Sequence, residues 1–120
     1  MFKAEPEEES EVNPGKCGKQ LAHWILERLK QRGLNADNIY PEDWGYEISL
    51  SANKHDKYIG CQNDGDSTAQ WACSIEVKQG LISRLTSKID IEGECRQLQA
   101  VVDEILKAEP QISDIRWDEN

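Results

Sequence analysis

The sequence lacks several patterns by which enzymes and membrane proteins are recognised. Its eight glycines are scattered and form no phosphate-binding loop, and it has only two histidines. No stretch approaches the length of an apolar transmembrane helix, and the N-terminus runs into acidic residues instead of the apolar run of a secretory signal. We therefore expect a cytoplasmic protein without a cofactor, and nothing in the sequence favours cysteine–histidine nucleophilic catalysis.

The four cysteines form no C-x-x-C pair. Cys17, Cys61, Cys73 and Cys95 are separated by 44, 12 and 22 residues, whereas a zinc site usually takes two ligands from one tight turn. Each cysteine falls on or beside an apolar stripe, and cytoplasmic cysteines stay reduced. We expect four thiols that pack as small apolar side chains, and no metal site.

Positive charge is also scarce. Fourteen basic residues against twenty-three acidic ones give a net charge of −9. A chain with this charge repels phosphate backbones and anionic lipid head groups over its surface as a whole. The balance favours a basic protein as the partner, with no nucleic acid and no membrane.

The 120 residues suffice for one domain, which needs no disulfide or metal to bury a core. Residues 1–12 carry five acids and one base, whereas residues 13–33 carry five bases and one acid. Because like charges resist compaction, the pattern predicts a flexible acidic N-terminal arm at 1–12, followed by a single domain at 13–120. Two alternatives stay open: the arm lies against the basic outer face of the first helix, or that face receives an acidic partner.

Apolar spacing predicts two helices. Asn13-Pro14 is a typical start and Gly33 a typical stop, which places the first helix over about 14–32. A second helix is expected over about 92–108. The buried stripe of the first helix comprises Cys17, Leu21, Trp24, Ile25 and Leu29, and its outer side carries His23 and Leu26.

Period-two alternation predicts strands at 44–51, 58–62 and 70–78, which short polar turns join into an antiparallel meander. A last strand is expected over 112–117. The stretch 81–90 is predicted to be a helical turn or an irregular segment.

This order, α-β-β-β-α-β, predicts an α+β two-layer sandwich in which both helices cover one face of a mainly antiparallel sheet of about four strands. The last strand is expected to return parallel to a neighbour through a right-handed crossover. Because the strands alternate, their second face should be polar and exposed to water. The tryptophans at 24, 44, 71 and 117 are in phase with the apolar faces, which favours core packing for all four.

The leading hypothesis for function is a non-enzymatic protein that binds another macromolecule through its acidic surface. A concrete form is an inhibitor or immunity-type protein for a basic toxin or nuclease, since opposite charges accelerate association. The polar sheet face, with the loops at 53–57 and 63–68, is the predicted contact surface. The candidate binding residues are Glu47, Ser49, Gln62, Gln70, Ser74, Glu76, Trp44 and Tyr46.

An alternative hypothesis is enzymatic. Asp64 or Asp66, followed by Glu76-Val77-Lys78, resembles the aspartate and E-x-K signature of magnesium-dependent nucleases of the restriction-endonuclease type. The resemblance implies a metal-dependent phosphodiesterase in which Asp66 and Glu76 hold the metal and Lys78 supports the attacking water. The motif is short, and a glutamate and a lysine on one strand face are also typical of a solvated ion pair.

A third hypothesis is a small-molecule binding module. Trp44, Gly45 and Tyr46 form a distinctive cluster at the start of a predicted strand. A strand that enters its sheet beside a glycine leaves room for a groove, here near Trp44 and Tyr46.

Overall fold

The computed structural model describes residues 2–12, 16–50, 55–64, 70–79 and 88–117. The elements in chain order are α1 (Glu8–Glu11), α2 (Lys19–Gln31), β1 (Ala36–Glu42), β2 (Gly45–Leu50), β3 (His55–Asn63), β4 (Trp71–Gln79) and α3 (Lys88–Lys107). The strands form one antiparallel sheet in the order β1-β2-β3-β4, and the two long helices pack on it. The predicted α+β sandwich is confirmed.

The core lies between the sheet and the two long helices. Cross-strand register aligns Ile48 of β2 with Ile59 of β3, and Ile59 with Ile75 of β4, on the helix-facing side of the sheet. Alternation along β2 buries Tyr46, Ile48 and Leu50 on that side. The helices contribute the buried residues Leu21, Ile25, Leu29, Leu98, Val102 and Ile105.

The fourth strand is β1, which lies in a segment where the sequence patterns predicted no strand. The sequence of β1, ADNIYPE, is rich in residues that favour turns, and it includes Pro41. Because β1 is an edge strand that pairs only with β2, it tolerates a proline and needs little apolar alternation. The observed element order is therefore α-β-β-β-β-α, preceded by the four-residue α1.

The predicted last strand is wrong. Residues 112–117 belong to no strand, because Asp114 adopts a left-handed conformation, with φ of 56°, which interrupts an extended chain. The Trp117 indole N–H instead donates a hydrogen bond to Asp103 Oδ1 of α3, at 2.8 Å. In the described part of the chain, no strand returns parallel to a neighbour.

The first long helix begins later than predicted. Asn13-Pro14 lies outside the described residues, and α2 begins at Lys19. Cys17 is not helical, because its N–H donates to Asn63 Oδ1 at 3.1 Å and its carbonyl accepts the Asn63 N–H at 2.9 Å. This reciprocal pair fixes the approach to α2 against the end of β3.

The outer side of α2 is only partly as predicted. His23 is exposed, as expected, but Leu26 is buried, with 7% of its surface exposed. Leu26 faces Ile39 and Pro41 across a cleft. The prediction for Leu26 was wrong because it did not include β1, which extends the sheet beneath this side of the helix.

The second long helix also begins earlier than predicted. It starts at Lys88 instead of about residue 92, and it ends at Lys107, close to the predicted end. Most of the stretch 81–90, for which we predicted a helical turn or an irregular segment, lies outside the described residues.

The N-terminal residues lie on the domain, in contrast to the free arm that their charge predicted. The Phe2 ring packs edge-on against Trp24 and Trp71, with centroid distances of 5.6 and 6.0 Å. Lys19 Nζ lies 3.3 Å from Glu7 Oε1 and 2.9 Å from Glu11 Oε1. Of the two alternatives left open, the acidic segment lies against the first long helix, because the lysine offsets the local repulsion.

Candidate functional site

The sheet face that points away from the two long helices is the candidate functional surface, and we call it the open face. In the cross-strand register, Tyr40 lies opposite Glu47. Ser49 lies opposite Tyr58, which lies opposite Glu76. Residues directly opposite one another share a face. The side chains of the open face are Asn38, Tyr40, Glu42, Glu47, Ser49, Asp56, Tyr58, Gln62, Ala72, Ser74, Glu76 and Lys78.

Trp44, in the turn between β1 and β2, also contributes its side chain to the open face. A β-carbon placed on Gly60 would lie 2.8 Å from Trp44 Cη2, and nearer still to Ser74 Oγ. The indole therefore occupies the space above Gly60, on the side opposite the core. The prediction that Trp44 packs in the core is wrong, because Trp44 precedes the strand, where alternation does not yet fix the side-chain direction. The other three tryptophans pack against the core.

Three aromatic side chains thus meet the open face. Tyr40 is 47% exposed, whereas Trp44 and Tyr58 are half-buried. The Lys78 ammonium lies 5.1 Å from the centre of the Tyr58 ring, within the range of a cation–π contact. Large aromatic groups on a rigid sheet provide contact area at a low cost in conformational entropy.

Negative charge dominates the centre of the open face. Burial raises the pKa of the Glu47 carboxyl, and repulsion from Glu42 and Glu76 raises it further, against a smaller lowering by Lys78. Lys78 Nζ lies 3.9 Å from Glu76 Oε1, so its charge is shared with another carboxylate. A second positive charge beside Glu47 would relieve this repulsion.

The structure brings most of the predicted binding residues together. Glu47, Ser49, Gln62, Ser74 and Glu76 all lie on the open face. Sequence reasoning missed Tyr40 and Tyr58. Alternation with the buried Ile59 was a signal for Tyr58, but no signal placed Tyr40, because its strand was not predicted.

Two predicted binding residues lie elsewhere. Tyr46 points to the opposite side of the sheet and is 1% exposed. Gln70 is exposed just before β4, where its carbonyl accepts the Asp64 N–H at 2.8 Å. Of the two predicted contact loops, residues 53–54 and 65–68 lie outside the described residues.

The residues of the nuclease hypothesis are only partly described. Glu76 and Lys78 share the open face and are exposed, with more than half of each side chain accessible. Asp66 lies outside the described residues, and Asp64 is exposed directly after β3. Within the described ranges, no group of three histidine, cysteine or acidic side chains could hold a metal ion.

A cleft of about 230 Å³ lies between α2 and the β1 edge. Tyr46 is one of its lining residues, and the buried Tyr46 hydroxyl has no hydrogen-bond partner in the described part of the chain. Burial, and then the charges of Glu11 and Glu8, raise the Tyr46 pKa to about 12, so this hydroxyl stays neutral. The lining residues are Glu11, Lys19, His23, Leu26, Asp37, Asn38, Ile39, Pro41 and Tyr46.

Comparison with known proteins adds no assignment, since no protein-family model, no curated protein and no solved structure matches the chain. None of the described helices combines the length and apolar character needed to cross a membrane. The function is therefore inferred from the open face and the cleft.

The position of Trp44 gives a direct test of the open face. Gly60→Ala should displace the indole, because the new methyl group would occupy its place. We expect a changed environment for the Trp44 indole N–H in NMR spectra and a loss of about 1–3 kcal/mol in the free energy of unfolding. Trp44→Phe identifies the resonance. An unchanged Trp44 signal in Gly60→Ala would contradict the packing of the indole over Gly60.

Proposed function

We propose that the protein binds a positively charged protein through the open face. The observation that carries this proposal is the combination of exposed Tyr40 with Trp44, Tyr58 and the carboxylates Glu47 and Glu76 on one side of the sheet. Tryptophan and tyrosine are enriched among the residues that dominate binding energy at interfaces. Carboxylates beside them form charge-assisted hydrogen bonds with arginine and lysine.

The charge of the whole chain supports the same partner class. At −9, the protein attracts cationic surfaces over a distance, which raises the association rate at low salt. An inhibitor or immunity-type role is one form of this proposal. An acidic domain bound to a basic toxin or nuclease covers the cationic surface with which that enzyme holds its anionic substrate.

An arginine-rich peptide is a defined probe for this surface. Added to the labelled protein, it should shift the amide signals of Glu47, Ser49 and Glu76 and the indole signal of Trp44. The shifts should diminish as salt rises, since screening weakens exposed charge pairs. Shifts spread evenly over acidic residues elsewhere, such as Glu27 on α2, would count against a specific site.

Glu47→Gln should raise the stability of the protein and weaken its binding to a cationic partner. Because the folded-state pKa of Glu47 is raised, ionisation of this group costs stability as the pH rises through that pKa. The variant should therefore be more stable than the wild type at neutral pH, and the difference should vanish below the carboxyl titration range.

The same variant should bind the cationic partner or peptide about tenfold more weakly, or about 1.4 kcal/mol, because it loses the charge that a cation pairs with. Urea unfolding at two pH values and a binding titration measure the two effects. Glu27→Gln is the matched control, because it removes the same charge from the exposed side of α2. Equal losses of affinity in both variants would show that only net charge matters.

The second candidate function is small-molecule binding in the cleft, and the unpartnered Tyr46 hydroxyl favours it. Buried hydroxyls normally have a hydrogen-bond partner, so a hydroxyl without one, on a residue that lines a cleft, is suited to a ligand. Glu11, Glu8 and Glu7 act on this hydroxyl against Lys19, so the local potential favours a donor with positive charge. A small organic amine with a short apolar part fits this surface.

Tyr46→Phe tests the cleft. If the hydroxyl has no partner, its removal should leave the free energy of unfolding unchanged or raise it by about 1 kcal/mol. A small amine such as butylamine should shift the amide signals of His23 and Leu26 in the wild type and not in the variant. A marked loss of stability in Tyr46→Phe would show that the hydroxyl is already bonded, and equal shifts in both proteins would contradict its role.

A further inference from the structure

Cys61 and Cys73 are direct cross-strand neighbours in the sheet. The register of β3 and β4 pairs Cys61 with Cys73, between the pairs Ile59–Ile75 and Asn63–Trp71. Residues directly opposite one another in antiparallel strands have Cα atoms about 4.5 or about 5.5 Å apart, depending on the type of pair. Disulfides span Cα separations of about 4.4–6.8 Å, so both types of pair are within reach.

The two neighbouring thiols differ in accessibility. Cys61 is fully buried in the central strand β3, whereas Cys73 is half-buried in the edge strand β4. A hydrogen bond to Cys73, and then burial, raise the pKa of the Cys61 thiol well above its ordinary value. Cys61 therefore stays protonated, and Cys73 is the thiol that a small oxidant reaches.

We propose that Cys61 and Cys73 form a peroxide-sensitive dithiol that closes to a disulfide between β3 and β4. The thiolate of Cys73 attacks one oxygen of hydrogen peroxide, the O–O bond breaks, and the leaving hydroxide takes up a proton as water. The resulting sulfenic acid is attacked by the sulfur of Cys61, which loses its proton as a second water leaves. In total, two thiols and one peroxide give one disulfide and two waters.

The other two cysteines are not placed to compete for this disulfide. Cys17 is 4% exposed and lies before α2, where its backbone is bonded to Asn63. Cys95 is half-buried on α3. Neither lies opposite another cysteine in the sheet. The proposal is independent of partner binding at the open face, since both thiols lie on the helix-facing side.

The sequence allows a direct measurement on the full-length wild-type chain. No lysine or arginine lies between Lys57 and Lys78, so one tryptic peptide, 58–78, contains both Cys61 and Cys73. After hydrogen peroxide treatment of the folded protein and alkylation, we expect this peptide to lose two hydrogens and to carry no alkyl group. Reduction before alkylation should restore two alkylated cysteines. Cys17 and Cys95 should be alkylated slowly in the folded protein and fully after denaturation. The peptides that contain them should not show the loss of hydrogen that marks a disulfide.

Two variants assign the roles of the thiols. Cys61→Ser should leave a sulfenic acid at Cys73 that dimedone traps, whereas Cys95→Ser, the control, should form the disulfide as the wild type does. At a given excess of hydrogen peroxide, the observed first-order rate constant of disulfide formation should not change with protein concentration. The proposal is overturned if folded wild-type protein accumulates sulfinic acid at Cys73 without a disulfide, or pairs either cysteine with a different one. If Cys61→Ser does not fold, the wild-type peptide result decides alone.

Discussion

Replacing Glu8 by alanine is expected to lower the free energy of unfolding by about 2–3 kcal/mol, since charge-assisted hydrogen bonds to a buried group contribute about that much. Glu8 is 1% exposed, although it belongs to the most acidic stretch of the chain. Its Oε1 accepts the N–H groups of Gly18 and Lys19, each at 2.9 Å, at the start of α2. Its Oε2 accepts the N–H of Glu5.

The large expected effect of Glu8→Ala follows from the backbone N–H groups at the start of α2, which need a hydrogen-bond acceptor from outside the helix. The first N–H groups of a helix have no partner within it, and Gly18 at the N-cap has no side chain to supply one. Glu8 supplies the cap from a distant part of the chain, and its negative charge also suits the positive end of the helix dipole. Without it, the buried N–H of Gly18 and the partly buried N–H of Lys19 would lose this acceptor.

Glu7→Ala is the matched control for Glu8→Ala. Glu7 belongs to the same acidic stretch, but it is exposed and pairs with Lys19 at the surface. Surface ion pairs contribute little to stability, so the control should unfold at nearly the same urea concentration as the wild type. Equal effects of the two substitutions would contradict the capping of α2 by Glu8.

Gly18→Ala is the second substitution with a large expected effect. It should lower the free energy of unfolding by about 3 kcal/mol, because the new methyl group would be overpacked against rigid backbone and would strain the local conformation. A β-carbon at Gly18 would lie 2.8 Å from the carbonyl carbon of Cys61, and nearer still to the oxygen. Because Cys61 is in the central strand β3, its backbone cannot move without disturbing the pairs with β2 and β4.

Gly93→Ala is the control for Gly18→Ala in the same urea experiment. Gly93 lies within α3, and nothing lies within 4 Å of the position that a β-carbon would take. In a helix interior, alanine is about 1 kcal/mol more favourable than glycine, so this variant should be more stable than the wild type. If Gly18→Ala behaves like Gly93→Ala, α2 does not approach β3 as closely as described.

Sequence patterns predicted the parts of the fold in which one physical rule dominates. Alternation identified β2 and β4, and helical spacing identified the buried side of α2, because burial of one face imposes these periods. β1 escaped detection because an edge strand that contains Pro41 needs neither strong alternation nor a full set of N–H donors. The segment 112–117 alternates weakly, but Asp114 in the left-handed region prevents a strand.

The features that sequence patterns did not predict depend on contacts between residues that are far apart in the sequence. The charge of residues 1–12 predicted repulsion, and no local pattern could show that Glu8 meets the backbone N–H groups of Gly18 and Lys19. Similarly, alternation placed Glu47 and Glu76 on the polar face, but the aromatic part of that face depends on contacts across the sheet. Trp44 reaches the face only because Gly60, on another strand, has no side chain.

The central claim is that the open face recognises a cationic protein, and capture from a lysate of the source cells tests it most directly. Three baits are compared: the wild type, a Tyr40→Ala/Glu47→Gln double variant, and Glu27→Gln as the charge control. Both open-face substitutions are at exposed or half-buried surface positions, so the double variant should remain folded. Its folding is checked by urea unfolding before use.

We predict a basic protein that the wild type and the control retain at low salt, that high salt releases, and that the double variant fails to retain. Retention of the same partner by the double variant, or a partner that high salt does not release, would contradict the claim.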